Sequence, residues 1–233
     1  MTHITTLTIW RTGFMTTTKV SLVRHGEVFN PEHVLYERLP DFHLSTRGQR
    51  MARATAQYIA QQPTLNNAVA LFSSPLDRTC ETSDAILEAL NEEREKHGED
   101  PLTVTLDDRI IEAGNEFRGK RIGHGDGAVW RRNNIKLLHN LWKPSWGETY
   151  QQIAQRVGDF VYEKVDEYPG EHIIAISHES PIWTFRHLLE KGRAEHNMMM
   201  RHTGLASITT ITFDNATKLP VSIEYADPAA AVI

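Results

Sequence analysis

The stretch "KVSLVRHGEV", Lys19–Val28, decides the fold. Lys19–Val23 is a short, apolar, β-branched run of the kind that forms a strand covered on both faces. It ends in Arg24, His25, Gly26 and Glu27. In open α/β sheets, ligands bind outside the carboxyl ends of the strands. A cation and an imidazole at this tip are therefore candidates for chemistry.

Two further runs, Val69–Phe72 and His172–Ile176, have the same character, and each is followed by polar or small residues and then a helical pattern. Thr46 with Gln49 has the spacing of a capping box, which predicts a helix from Thr46 to Gln62, ahead of Pro63. Further helices are predicted over Leu76–Asn91, with a break near Gly98–Pro101, and over Glu148–Tyr168, stopped by Pro169 and Gly170. Pro181 suits the first turn of a helix ending near Gly192. Ser207–Phe213 and Val221–Tyr225, separated by "DNATKLP", read as an antiparallel or edge pair. Strands alternating with helices predict an α/β fold, a three-layer α/β/α sandwich around a mostly parallel sheet. The expected organisation is an N-terminal arm (1–18), a single domain (19–227) with an irregular insertion at about 107–146, and a C-terminal tail (228–233). Ile4–Trp10 has β character, so an extra edge strand is the alternative reading of the arm.

Bulk properties narrow the function. The chain has 233 residues, 40% hydrophobic and 24% charged, which is ordinary globular usage. A net charge of −5 gives no global attraction to nucleic acid or to an anionic membrane surface, so anion binding must be local. Cys80 is the only cysteine, which excludes an internal disulfide and a four-cysteine zinc site and fits a cytoplasmic setting. No run reaches the roughly 20 apolar residues of a membrane span.

The second apolar strand leads into "SSPLDRT" with Arg78, and the third into "SHES" with His178. Three strand ends thus converge two arginines and two histidines on one rim of an acidic protein. Guanidinium forks match phosphate oxygens, and helix N-termini favour anions. Arg24 beside His25 should lower the imidazole pKa and favour a neutral nucleophile, leaving His178 as a charged clamp. Taken singly, each residue has a plainer reading: a hydrogen-bonded histidine, a helix-surface arginine, a small buried cysteine. Cys80 lacks the following arginine that a cysteine phosphatase loop requires. "GHGDG", Gly123–Gly127, follows no clear strand and reads as a turn.

"LVRHGE", "LSTRGQ", "SSPLDRTCET" and "ISHES", in that order, resemble the histidine phosphatase superfamily, in its phosphoglycerate mutase-like branch, from about Lys19 to Phe213. The resemblance implies a phosphoglycerate mutase-like α/β/α sandwich and a metal-independent phosphatase. It would hydrolyse a small phosphomonoester through a phosphohistidine, with no cofactor and no nucleic-acid or membrane partner. It assigns His25 as nucleophile, Arg24, Arg78 and His178 to the phosphate pocket, and Glu112 in "RIIEAGNEFRG" as proton donor, with Glu116 as a second candidate. Asn30 is expected to touch phosphate, although it stands six positions after Arg24 where relatives have seven. Glu179 replaces a glycine common after the second histidine; its carboxylate would either repel acidic substrates or point away. "EAGNEFRG" does not reproduce the mutase segment "ERHYG", which favours water as acceptor. Mutase-type phosphoryl transfer and a non-catalytic phospho-ligand module remain the alternatives. A metal-dependent phosphohydrolase finds no compact Asp/His cluster in the sequence. The insertion carries Arg118, Lys120, Arg121, His124, Arg131, Arg132 and Lys136 with Trp130, Trp142 and Trp146, which is either a lid over substrate or a solvated face.

Overall fold

A computed structural model describes residues 16–121, 147–197 and 200–233. The expected arm up to residue 15, most of the insertion including "GHGDG", and its three tryptophans lie outside the described residues. Six strands form one sheet: β1 (Thr17–Arg24), β2 (Ala70–Ser73), β3 (Val104–Leu106), β4 (His172–Ser177), β5 (Ile208–Asp214) and β6 (Pro220–Ala226). Their order is β3-β2-β4-β1-β5-β6. The first four are mutually parallel, and β5 and β6 add an antiparallel edge. Thr17 and Thr18 belong to β1, two residues inside the expected arm.

Among the described residues, four helices cover the two faces: α1 (Thr46–Gln61), α2 (Asp77–His97), α3 (Tyr150–Glu167) and α4 (Glu179–Lys191). The side-chain period of two along a strand sorts the core. Val20 and Leu22 of β1, with Ile173 and Ala175 of β4, pack against Ile153, Val157 and Phe160 of α3 and Phe185 of α4. Val23, Ile174 and Ile176 turn the other way, onto Ala56 and Ile59 of α1 and Ile86 and Leu90 of α2. Each fully buried large apolar side chain stabilises the fold by about 1.5–3 kcal/mol.

The caps correct one expectation. Ser45, not Thr46, caps α1, with its hydroxyl accepting from Gly48 N at 2.9 Å. The capping box occurs instead at α3. Thr149 Oγ1 accepts from Gln152 N, while Gln152 Oε1 accepts from Thr149 N. Helix α2 continues to His97 and stops on left-handed Gly98. Strand β3 and the 3-10 turn Asp108–Ile110 were not legible in the sequence. The C-terminal tail lies on α1: Ala229 is buried with Met51, and Arg47 Nε donates to Val232 O.

The "RHG" turn is seated directly on the first turn of α1. A Cβ on Gly48 would lie 2.0 Å from Glu27 O, and one on Gly26 would lie 2.5 Å from Gly48 O. Glu27 fastens the same contact by accepting from Ser45 Oγ and Arg47 Nη1. Gly48→Ala is therefore expected to lower the unfolding free energy by about 2–3 kcal/mol. Urea unfolding checks this as a lower midpoint at an unchanged slope.

Candidate active site

Strand register sets the two histidines together. Arg24 pairs with Ser177 across β1 and β4, so His25 and His178 leave the sheet side by side. Their ring centroids are 5.1 Å apart at 64°. His25 N donates to Ser177 O, and His25 O accepts from Ala206 N, which fixes the backbone beneath the ring.

The partners of His25 define its tautomer. Nδ1 lies 2.7 Å from Gly26 O, which can only accept, so Nδ1 carries the proton. Arg78 Nε donates to Nε2 at 3.3 Å, so Nε2 presents a lone pair. Burial is the main reason the His25 pKa falls well below its ordinary value, and Arg78 and Arg24 lower it further. The expected neutral imidazole is therefore present, with desolvation contributing more than the adjacent Arg24.

Arg78 has no exposed surface. Its Nη2 donates to Glu37 O at 2.5 Å, and its guanidinium carbon lies 4.9 Å from the centre of the Tyr36 ring. Glu37 holds φ at 42°, a left-handed conformation unusual for a non-glycine residue, and thereby offers that carbonyl. His178 caps α4 and is also fully buried, with Nε2 2.8 Å from Ser74 Oγ. Its pKa is likewise pushed well down, by burial first and then by His25 and the arginines. The expected charged clamp is therefore a neutral ring when no anion is present. Arg24 Nε, Arg78 Nη1, His178 Nδ1 and Ser180 Oγ are buried and lack a partner among the described residues.

A cavity of about 240 Å³ opens over this group, lined in part by Arg24, His25, Tyr36, Glu112, Tyr150 and Arg201. Glu112 is half-buried there. Burial pushes its carboxyl pKa up, against the opposing pull of the Ala113 N–H and the arginines. Its backbone carbonyl is gripped by Arg38 Nε at 2.7 Å, and Arg38 and Arg156 are both tied to Glu148. The turn leading to Glu112 is fastened to β4 by Ser177 Oγ donating to Ile110 O at 2.6 Å. Glu116 is exposed and does not line this cavity.

Asn30 does not join this group. Its amide donates to Val34 O at 2.8 Å, and its Oδ1 accepts from Val34 N, closing a loop. Glu179 neither points away nor stands free: Oε1 accepts from Arg24 Nη1 at 3.1 Å. Arg118, read as part of either a lid or a solvated face, lies 3.6 Å from Glu37 Oε2. Tyr36, Glu37, Tyr150 and Arg201 were not anticipated; they stand outside the strand-end motifs, and only the fold brings them in. The fold also gathers an Asp/His cluster that the sequence spacing hides, Asp41, His43 and Asp77. Two of the three are already engaged, His43 with Glu81 and Asp77 with Asp41 N.

The sequence profile described as "Histidine phosphatase superfamily (branch 1)" matches residues 20–224. The chain belongs to this superfamily. It is 39% identical over 214 residues to the uncharacterized protein Rv0525 of Mycobacterium tuberculosis, covering 91% of this chain and 98% of that one. It is 28% identical over 167 residues to phosphoserine phosphatase 1 of Hydrogenobacter thermophilus, covering 70% and 72% of the two chains. Phosphoglycerate mutase of Bacillus anthracis shares the fold, with a TM-score of 0.68 at 16% identity over 94% of this chain and 96% of that one. The three-layer, phosphoglycerate mutase-like architecture expected from the sequence is the one observed. No described helix is long and apolar enough to cross a membrane.

Four buried histidines make stability depend on pH. His25 and His178 are held well below 6.5, and His172 and His196 at about 4. The native state thus refuses protons that the unfolded chain accepts. Their contribution is complete above about pH 6.5 and is lost as pH falls toward 4. Unfolding at pH 5.5 should take up more than one proton, read from the slope of unfolding free energy against pH; a flat profile between pH 7 and 5 would contradict these assignments.

Proposed function

We propose that the protein is a metal-independent phosphatase that hydrolyses a small phosphomonoester through a phosphohistidine on His25. The observation that carries this reading is the His25 tautomer. Its Nδ1–H is committed to Gly26 O, and its Nε2 lone pair accepts from the buried guanidinium of Arg78 beside a cavity that His25 lines. Membership of a superfamily of phosphatases and mutases, and similarity to a named phosphatase, support the reaction class.

The phosphoryl dianion binds to donors that protein atoms leave unused: Arg24 Nε, Arg78 Nη1, His178 Nδ1 and Ser180 Oγ. Arg78 Nε, turned from Nε2 to a phosphoryl oxygen, frees the lone pair. Nε2 attacks phosphorus, the P–O bond to the alcohol breaks, and Glu112 gives its proton to the leaving oxygen. Water then attacks phosphorus, its proton passes to the Glu112 carboxylate, and the N–P bond breaks. Burial of Glu112 suits the first role, because it favours the protonated acid at working pH. An anion between the rings raises the pKa of both histidines, so His178 becomes a better donor when substrate is bound.

His25→Ala should reduce turnover of p-nitrophenyl phosphate by about a thousandfold or more, and a chelator should leave the wild-type rate unchanged. Glu112→Gln should slow alkyl phosphates by about a hundredfold but p-nitrophenyl phosphate much less, since that leaving group needs little protonation. Released phosphate measured against both substrate types checks this. Full activity of the His25 variant, or loss of activity with chelator, would overturn the mechanism.

A further inference from the structure

The cavity extends past the histidines to a wall built by Glu179, Arg201 and Tyr150. Arg201 is fixed there by an unusual partner. Its Nε donates to His196 Nε2 at 3.0 Å, while His196 Nδ1 donates to Ala194 O at 2.9 Å. His196 is 3% exposed and stacks on Tyr150 with centroids 4.3 Å apart. A buried neutral imidazole whose two nitrogens are both committed holds the guanidinium in one orientation. Arg201 Nη1 then stands 3.9 Å from Glu179 Oε2, too far for a hydrogen bond. The wall therefore carries a fixed cation and a carboxylate as neighbours without their neutralising each other in a close pair.

The signs of the charges on this wall suit one kind of group. Glu37 and Glu148 are engaged by Arg38, Arg118 and Arg156 around them. Among the described residues, Arg24 and Arg201 line the cavity with Glu179 and the acid Glu112, and Arg78 lies behind His25. Arg24 and Arg78, beside His25, face the phosphoryl dianion. A group with both charges fits the Arg201–Glu179 pair.

Resting on the phosphatase reading above, we infer that the leaving alcohol of the substrate is a zwitterion: its carboxylate lies against Arg201 and its ammonium against Glu179, as in an O-phosphorylated amino acid. Glu179 is then a specificity residue. It gives up no proton in the reaction, and its other oxygen keeps Arg24 aligned on the phosphoryl group. His196 is a positioning residue that acts through Arg201.

Three esters separate the possibilities. O-phosphoserine carries both groups, 3-phosphoglycerate replaces the ammonium by a hydroxyl, and phosphoethanolamine lacks the carboxylate. With p-nitrophenyl phosphate as reference, kcat/KM for O-phosphoserine should exceed that of each of the others about tenfold or more. Glu179→Gln should bring O-phosphoserine and 3-phosphoglycerate within about threefold of each other. Arg201→Gln should remove the advantage of O-phosphoserine over phosphoethanolamine, chiefly through KM. Two results overturn the inference while leaving the phosphatase reading intact: p-nitrophenyl phosphate is hydrolysed but 3-phosphoglycerate equals or exceeds O-phosphoserine, or the wild-type ratios survive both substitutions. Failure to hydrolyse p-nitrophenyl phosphate overturns both. The wild-type comparison stands even if a variant does not fold.

Discussion

The structure turns on one buried guanidinium. Arg78 has no exposed surface and, among the described residues, no carboxylate within hydrogen-bonding distance. Burying such a charge is costly unless other groups replace its water. The replacements are the Glu37 carbonyl, the Tyr36 ring and the lone pair of His25. Each replacement constrains something else. The carbonyl requires a left-handed residue at Glu37, and the lone pair requires His25 to be neutral with its proton on Nδ1. Arg78 thereby selects the protonation state that suits His25 to the proposed role of nucleophile, and its remaining N–H favours an anion. Folding energy and reactivity are linked at this side chain.

The scaffold explains how so polar a group is tolerated. Ile173, Ile174, Ala175 and Ile176 are buried on both faces of the sheet, and their strand runs into His178. The parallel register with β1 then fixes the spacing of the two imidazoles to within one strand separation. Gly26 and Gly48 let the "RHG" turn touch α1 backbone to backbone, which leaves little freedom to move His25. The Arg38–Glu148–Arg156 network does the same for Glu112 by holding its main chain while its carboxyl faces the cavity.

Much of this was legible in the sequence because strand-end chemistry follows chain order. β1, β2 and β4, and the four residues Arg24, His25, Arg78 and His178, could be read from apolar runs and what terminates them. Strand β3 could not: it is three residues long, at a sheet edge, and two of the three are exposed. Asn30 illustrates a limit of spacing arguments, since a one-residue offset sends its side chain to Val34 instead of the cavity. The charge on His178 was misjudged because burial, which sequence does not show, outweighs its role near an anion site. Arg201 and Tyr150 belong to no motif, and their place follows from how α3 and the segment after α4 close on the rim.

The central claim is that phosphorus bonds transiently to His25. The direct measurement is rapid acid-free quenching of the protein during turnover of a phosphomonoester, followed by peptide mass spectrometry. The account predicts a base-stable, acid-labile phosphoryl group on the peptide containing His25, formed within one turnover and absent from His25→Asn. Steady hydrolysis with no phosphorylated histidine at any time, and inversion of configuration at a chiral phosphorus, would show direct transfer to water and contradict it.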